Sequence, residues 1–117
     1  MLKVDQLVDK YLEEVISIRR YIHQNPELSL NEFETSKLVA GELKKLGLEV
    51  QEGVGKTGVV SNLNPNKCEK TLMLRADMDA LPIQEETNLE FKSQNPGVML
   101  ACGHDVHTSI LLGVAKI

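Results

Sequence analysis

Between Asp5 and Gln24, apolar side chains recur at Leu7, Val8, Tyr11, Leu12, Val15, Ile16 and Ile22, with the aliphatic stem of Arg19 on the same line. Spacings of three and four residues predict an amphipathic helix over 5–24. Pro26 stops it, because the residue before a proline avoids the helical region. A second stripe follows at Phe33, Leu38, Val39, Leu43 and Leu46. Ser29 with Glu32 three residues later reads as a capping box opening this helix. Gly47 supplies a left-handed stop, and Lys44 and Lys45 sit in the last turn, where the helix dipole favours cations.

Beyond Gly47 the period shortens. "LEVQEGV" and "TGVVSNL" predict two short strands joined by a glycine-containing turn, with "NPNK" as the next turn. "TLMLRADMDALP" (71–82) opens as a continuous apolar run and becomes charged. That is the pattern of a strand buried on both faces whose carboxyl end emerges into a site. Residues 84–97 are polar, with "NPG" as a turn. "VML" predicts a further short buried strand, and from about Asp105 the chain reads as helix again. The order implies the α/β class, a partial mixed sheet of about four strands with flanking helices. One face of such a sheet stays uncovered, so self-association is expected. No repeat, low-complexity segment or linker interrupts the 117 residues, which suit one domain. The last stripe runs to Ile117 without a stop signal, which predicts a truncated chain.

Composition removes several function classes. Charged residues make up 26% and apolar residues 42%, as in a soluble globular chain. The net charge is −4 with no basic run, and aromatics are 3%, so nucleic acid is not an expected partner. No stretch is apolar enough to cross a bilayer, so no membrane partner is expected either, and the N-terminus has no apolar signal core. A cytoplasmic location is inferred. The two cysteines, Cys68 and Cys102, fit a reducing compartment. Cys68, in the polar "NPNKCEK", reads as an incidental thiol.

Chemistry concentrates in two places. In "RADMD", Asp77 and Asp79 lie two apart and would share one side of a strand, beyond whose carboxyl end ligand sites of α/β sheets lie. They could orient metal ligands, act as acid and base, or form only a solvated turn. In "ACGHDVH", Cys102 and His104 are good ligands for a borderline metal, and Gly103 lets the backbone turn so that both converge. His107 could share the helix face of His104. A Cys102 nucleophile with a histidine base is the competing reading, weakened by the nearby acidic strand and the lack of a marked oxyanion hole. His23 reads as a C-terminal cap of the first helix, Arg19 and Arg20 as solvated charges, and Arg75 as paired to an aspartate.

Three stretches together, "RRYIHQNPELSLNEFETS", "LRADMDALPIQEET" and "MLACGHDVHTSILLGVA", resemble the first three blocks of the metal-dependent amidohydrolases. That group includes N-acyl-L-amino-acid amidohydrolases, hippurate hydrolase and indole-acetyl-amino-acid hydrolases, within the carboxypeptidase and aminoacylase superfamily. The resemblance implies that residues 1–117 are the N-terminal portion of a zinc-exopeptidase-like catalytic domain, the lid and dimerisation domain lying outside it. It implies a site for two divalent ions (zinc, manganese, cobalt or nickel), with Cys102 and His104 as ligands and Asp79 and Asp77 as the supporting acidic pair. His107 matches a position packed close by that does not ligate.

The implied reaction is hydrolysis of the amide bond of N-acyl amino acids or small peptides in a homo-oligomeric parent. The family's first histidine of "MHACGHD" is replaced by Leu100, which predicts altered contacts rather than loss of metal. The family's adjacent glutamate pair, one of them the general base, comes after the Cys-His block. Glu85 and Glu86 precede that block and do not take its role. These 117 residues are therefore expected to bind one ion or none and to be inactive alone. The alternatives are a short binding or regulatory module that keeps the fold start, or a Cys102-dependent thiol hydrolase.

Overall fold

The computed structural model describes residues 3–66 and 69–117. It contains helix α1 (Val4–Gln24), helix α2 (Phe33–Lys45), strands β1 (Glu49–Val54) and β2 (Gly58–Asn62), and helix α3 (His104–Lys116). The class is α/β, as the chain pattern predicts. The reading of Cys68 falls outside the described residues.

In α1 the periodic stripe forms, but its buried edge differs from the expected one. Ile18, Ile22 and His23 are buried, while Val8 and Leu12 face outward. The helix buries one narrow line against α3, and tertiary packing selects that line from a broader apolar arc. Gly113 of α3 marks the closest approach of the two helices: a Cβ there would stand 3.1 Å from Val15 Cγ2. A side chain at 113 would push the pair apart.

Helix α2 corrects the expected capping box. Ser29 lies in a turn closed by Asn31 N–H donating to the Leu28 carbonyl, and the helix begins only at Phe33. Its free amides are met from outside. Glu27 accepts from Thr35 N–H at 2.6 Å, from Thr35 Oγ1 at 2.7 Å and from Glu34 N–H at 3.1 Å. A carboxylate at the positive end of the helix satisfies orphan donors and the dipole together. Glu32 turns away, accepting from Leu30 N–H and Thr57 Oγ1. Gly47, at φ 78°, ends the helix as expected.

Strands β1 and β2 form an antiparallel hairpin, Glu49 opposite Asn62 and Val54 opposite Gly58, irregular between Gln51 and Val54. The expected four-stranded sheet is thus reduced to two strands among the described residues. The buried strand expected over 71–82 does not form. Leu72 and Met73 are 84% and 81% exposed. A doubly buried strand needs a ladder on each edge, and no described strand pairs with residues 71–79. Backbone pairing begins at its carboxyl end, where single bridges join Ala80 to Leu28 in parallel and Leu81 to Met99 antiparallel. The "VML" strand is likewise reduced to that one bridge. The "NPG" turn is present, closed by Val98 N–H donating to the Asn95 carbonyl, with Gly97 at φ 77°.

The core is Ile18, Ile22, Val39, Ala80, Val98, Leu100 and Leu112, gathered between the three helices and the bridged segments. Leu100, 3% exposed, therefore serves packing rather than a ligand surface. The radius of gyration is 15.1 Å. A compact chain of this length would show about 13 Å. The uncovered apolar segment and the exposed hairpin account for this openness.

Candidate metal centre

Gly103 adopts φ 85° at the N-cap of α3 and accepts from the Val106 and His107 amides. Only a residue without a Cβ takes that conformation at little cost. It brings Cys102 to an exposed position and makes His104 the first residue of the helix.

The His104 ring then meets the segment that was expected to be a strand. Its Nδ1 donates to Asp79 Oδ1 at 2.9 Å and to the Asp79 carbonyl at 3.0 Å. In the neutral ring, donation from Nδ1 leaves Nε2 as the nitrogen with a lone pair. The nearest carboxylate to Nε2 is Asp77, whose Oδ2 lies 3.9 Å away. Asp77 also accepts from Arg75 at 2.6 Å, so the expected Arg75 pair is present. Thr108 Oγ1 of α3 donates to the Asp77 carbonyl. The two aspartates thus face one imidazole, although the strand that was to align them is absent. His107 stands beside His104 with ring centroids 6.0 Å apart.

A carboxylate behind an imidazole fixes its tautomer and raises the basicity of the other nitrogen, as is usual for metal-binding histidines. The donor set fits part of a cradle for a borderline metal. Among the described residues, no three of His, Cys, Asp and Glu converge as a metal-holding group.

Below this site lies a junction that the residue pattern did not reveal. His23 is 3% exposed. Its Nδ1 donates to Asp105 Oδ2 at 2.9 Å and its Nε2 to Glu85 Oε1 at 2.9 Å. It is a buried bridge between two carboxylates rather than a helix cap. Arg19 is not a solvated charge either: its Nε donates to the same Asp105 oxygen at 2.8 Å, and its guanidinium lies over Phe91. Arg20 also lies over Phe91. Glu85 accepts further from Ser93 N–H and from Thr87 Oγ1. Burial pushes the Glu85 carboxyl up, but the hydrogen bonds from Thr87 and Ser93 and the neighbouring His23 outweigh it, leaving its pKa below the ordinary 4.5.

At the far end of α3, Lys116 donates to Glu14 and Glu42. No helix is long and apolar enough to cross a membrane among the described residues.

Peptidase family M20/M25/M40 matches residues 73–117, the stretch that holds both aspartates and the Cys-His pair. Over 102 residues the chain is 61% identical to thermostable carboxypeptidase 2 of Saccharolobus solfataricus, covering 86% of this chain and 26% of that one. It is 48% identical to the N-acyl-L-amino acid amidohydrolase of Geobacillus stearothermophilus over 98% of this chain and 31% of that one. Among solved structures it superposes with TM-score 0.86 on the Bacillus subtilis YXEP protein, described as a dinuclear metal-binding peptidase of the M20 family. The identity there is 40%, covering 92% of this chain and 31% of that one. The chain thus spans between about a quarter and a third of the length of these relatives. Residues 73–117 thus match peptidase family M20/M25/M40, and the sequence and backbone of the chain resemble members of that family.

Proposed function

We propose that these residues are the N-terminal portion of the catalytic domain of a metal-dependent amidohydrolase, with Cys102 and His104 as metal ligands and Asp77 and Asp79 as their acidic support. The observation that carries this reading is the His104 ring, held at Nδ1 by Asp79 so that Nε2 faces away from that carboxylate. Two divalent ions, of the zinc, manganese, cobalt or nickel kind, would supply Lewis acidity toward an amide carbonyl and a water of lowered pKa. Cys102 Sγ and His104 Nε2 would hold metal. Asp79 keeps His104 in the ligating tautomer, and Asp77 stands close enough to receive a proton or orient a water near Nε2.

The substrate class is N-acyl amino acids or small peptides, which the names of the amidohydrolase and carboxypeptidase relatives support. The remaining part of such relatives would bring the lid, the dimer contact and the general base. The net charge of −4 supports a protein without a nucleic-acid partner. We place it in the cytoplasm, as a self-associating chain. The 117 residues alone are inactive, because they lack the glutamate that would follow the Cys-His block as general base; Glu85, the buried glutamate before the site, does not replace it and is held by His23, Thr87 and Ser93.

The test is metal content of the purified chain after removal of loose ions by chelation. About one ion per chain is expected, lost in both Cys102→Ala and His104→Ala. Equal, non-zero content in all three proteins overturns the ligand assignment, whereas zero content in all three means that further ligands of the kind such relatives carry are needed to close the site. Release of an amino acid from an N-acyl substrate by the chain alone would overturn its inactivity.

A further inference from the structure

We infer that His23 of α1 is a positioning residue for the metal ligands at the start of α3, acting through Asp105; the inference rests on the ligand assignment made above. Asp105 directly follows His104 and is 1% exposed. Its carboxylate is gripped from α1 by His23 Nδ1 and Arg19 Nε, and its carbonyl accepts from Ser109 Oγ. Its position is thus set by α1. His23 is held in turn at Nε2 by Glu85, 62 residues away in sequence, whose own oxygens are met by Thr87 and Ser93.

Ionised carboxylates only accept hydrogen bonds, so both ring nitrogens of His23 carry protons when both contacts are made. A histidine held at both nitrogens cannot rotate. The chain Glu85–His23–Asp105 therefore fixes the first turn of α3 against α1. The arrangement lies next to the ligands and not merely somewhere on α3. Asp105 follows His104 in the chain, and the Gly103 carbonyl before it anchors the amides of Val106 and His107. A shift of the Asp105 backbone moves His104 off Asp79, whose two oxygens lie at 2.9 and 3.0 Å from Nδ1. Loss of that grip frees the imidazole to take its other tautomer, in which Nε2 carries a proton and cannot ligate. The other tie between α3 and α1, Lys116 to Glu14, sits twelve residues further along and has no such lever on the ligands.

The experiment is a Co2+ titration of the purified 117-residue chain, read by the thiolate-to-cobalt absorption, in wild type, His23→Ala, His23→Gln and Lys116→Met. In each protein, nitrogen NMR shifts also report which His104 nitrogen carries the proton. His23→Ala is expected to weaken Co2+ binding by about tenfold or more, the usual effect of removing a partner behind a ligand. His23→Gln, which keeps one N–H for Asp105, should fall between. Lys116→Met should bind as wild type even where its melting temperature drops as far. Unchanged affinity in His23→Ala, or losses that simply follow stability in both His23→Ala and Lys116→Met, overturns the inference.

If the wild-type chain takes up no Co2+, the site needs further ligands to close, and the inference is then judged on His104 alone. Loss of the Nδ1–H tautomer in His23→Ala with helix α3 retained supports it, and retention of that tautomer overturns it.

Discussion

The junction between α1 and α3 and the apolar run at 72–74 are the two extremes of this molecule. At the junction every buried charge has a partner: Asp105 meets Arg19 and His23, and His23 meets Glu85. Among the described residues no buried side-chain polar atom lacks a hydrogen bond. At 72–74 three large apolar side chains face outward, Leu74 at 55% and the other two above 80%. The difference shows what each kind of interaction needs. A few directional hydrogen bonds close a polar junction between two helices. An apolar strand is satisfied only by a ladder and a packed layer on each side, which no described strand provides. The candidate metal site sits on the seam between them, with His104 next in the chain to the junction's Asp105 and Asp77 at the end of the exposed run.

The strongest way to break this contrast is at its tight end. Asp105→Ala leaves His23 and Arg19 facing an emptied buried position. Removing one member of a buried ionic cluster costs about 3–5 kcal/mol. Urea unfolding should show that loss, and a change below about 1 kcal/mol would mean the junction is solvated in solution.

Acid should act on the same side. Glu85 and Glu42 both carry carboxyls below the ordinary 4.5; in each, burial pushes upward and is outweighed by hydrogen bonds, for Glu42 those of Lys45 and Lys116. A group with a depressed folded pKa contributes stability that is present above 4.5 and lost as pH falls through its lower folded value. The melting temperature should therefore decline below pH 4.5, less steeply in Glu85→Gln. Parallel declines in both proteins would remove Glu85 from the account.

Glu27 gives a smaller effect. Glu27→Ala removes three hydrogen bonds from the start of α2 and should cost about 1 kcal/mol, read by denaturation with helix content followed in parallel. The smallest change in stability belongs to the exposed run. Leu72→Lys with Met73→Lys should move the unfolding free energy by less than about 0.5 kcal/mol, since neither side chain is buried. Concentration-dependent sedimentation should nevertheless fall. A large destabilisation would show that residues 72 and 73 pack in solution.

Local features were readable from the chain. Helix periodicity placed α1, α2 and α3 to within a residue or a few, and Gly47 and the "NPG" turn lie where their backbone freedom is used. That Asp77 and Asp79 could face one partner was visible because short spacing limits how far side chains can diverge, and both lie near the His104 ring. What failed was decided at a distance. The run at 71–75 has the composition of a strand, but a strand exists only with partners. Ser29 and Glu32 have the spacing of a capping box, yet Glu27 reaches the amides of α2 first.

The sequence by itself determined which segments coil and where they stop, and it marked His104 and two carboxylates, Asp77 and Asp79, as candidate neighbours. Only the tertiary structure decided that Ile18, and not Val8 or Leu12, enters the core. It alone brought His23, Glu85 and Asp105 together across separations of 62 and 82 residues. Periodicity and backbone preference act within a few residues, whereas a buried charge must be matched by whatever the folded chain brings within 3 Å of it.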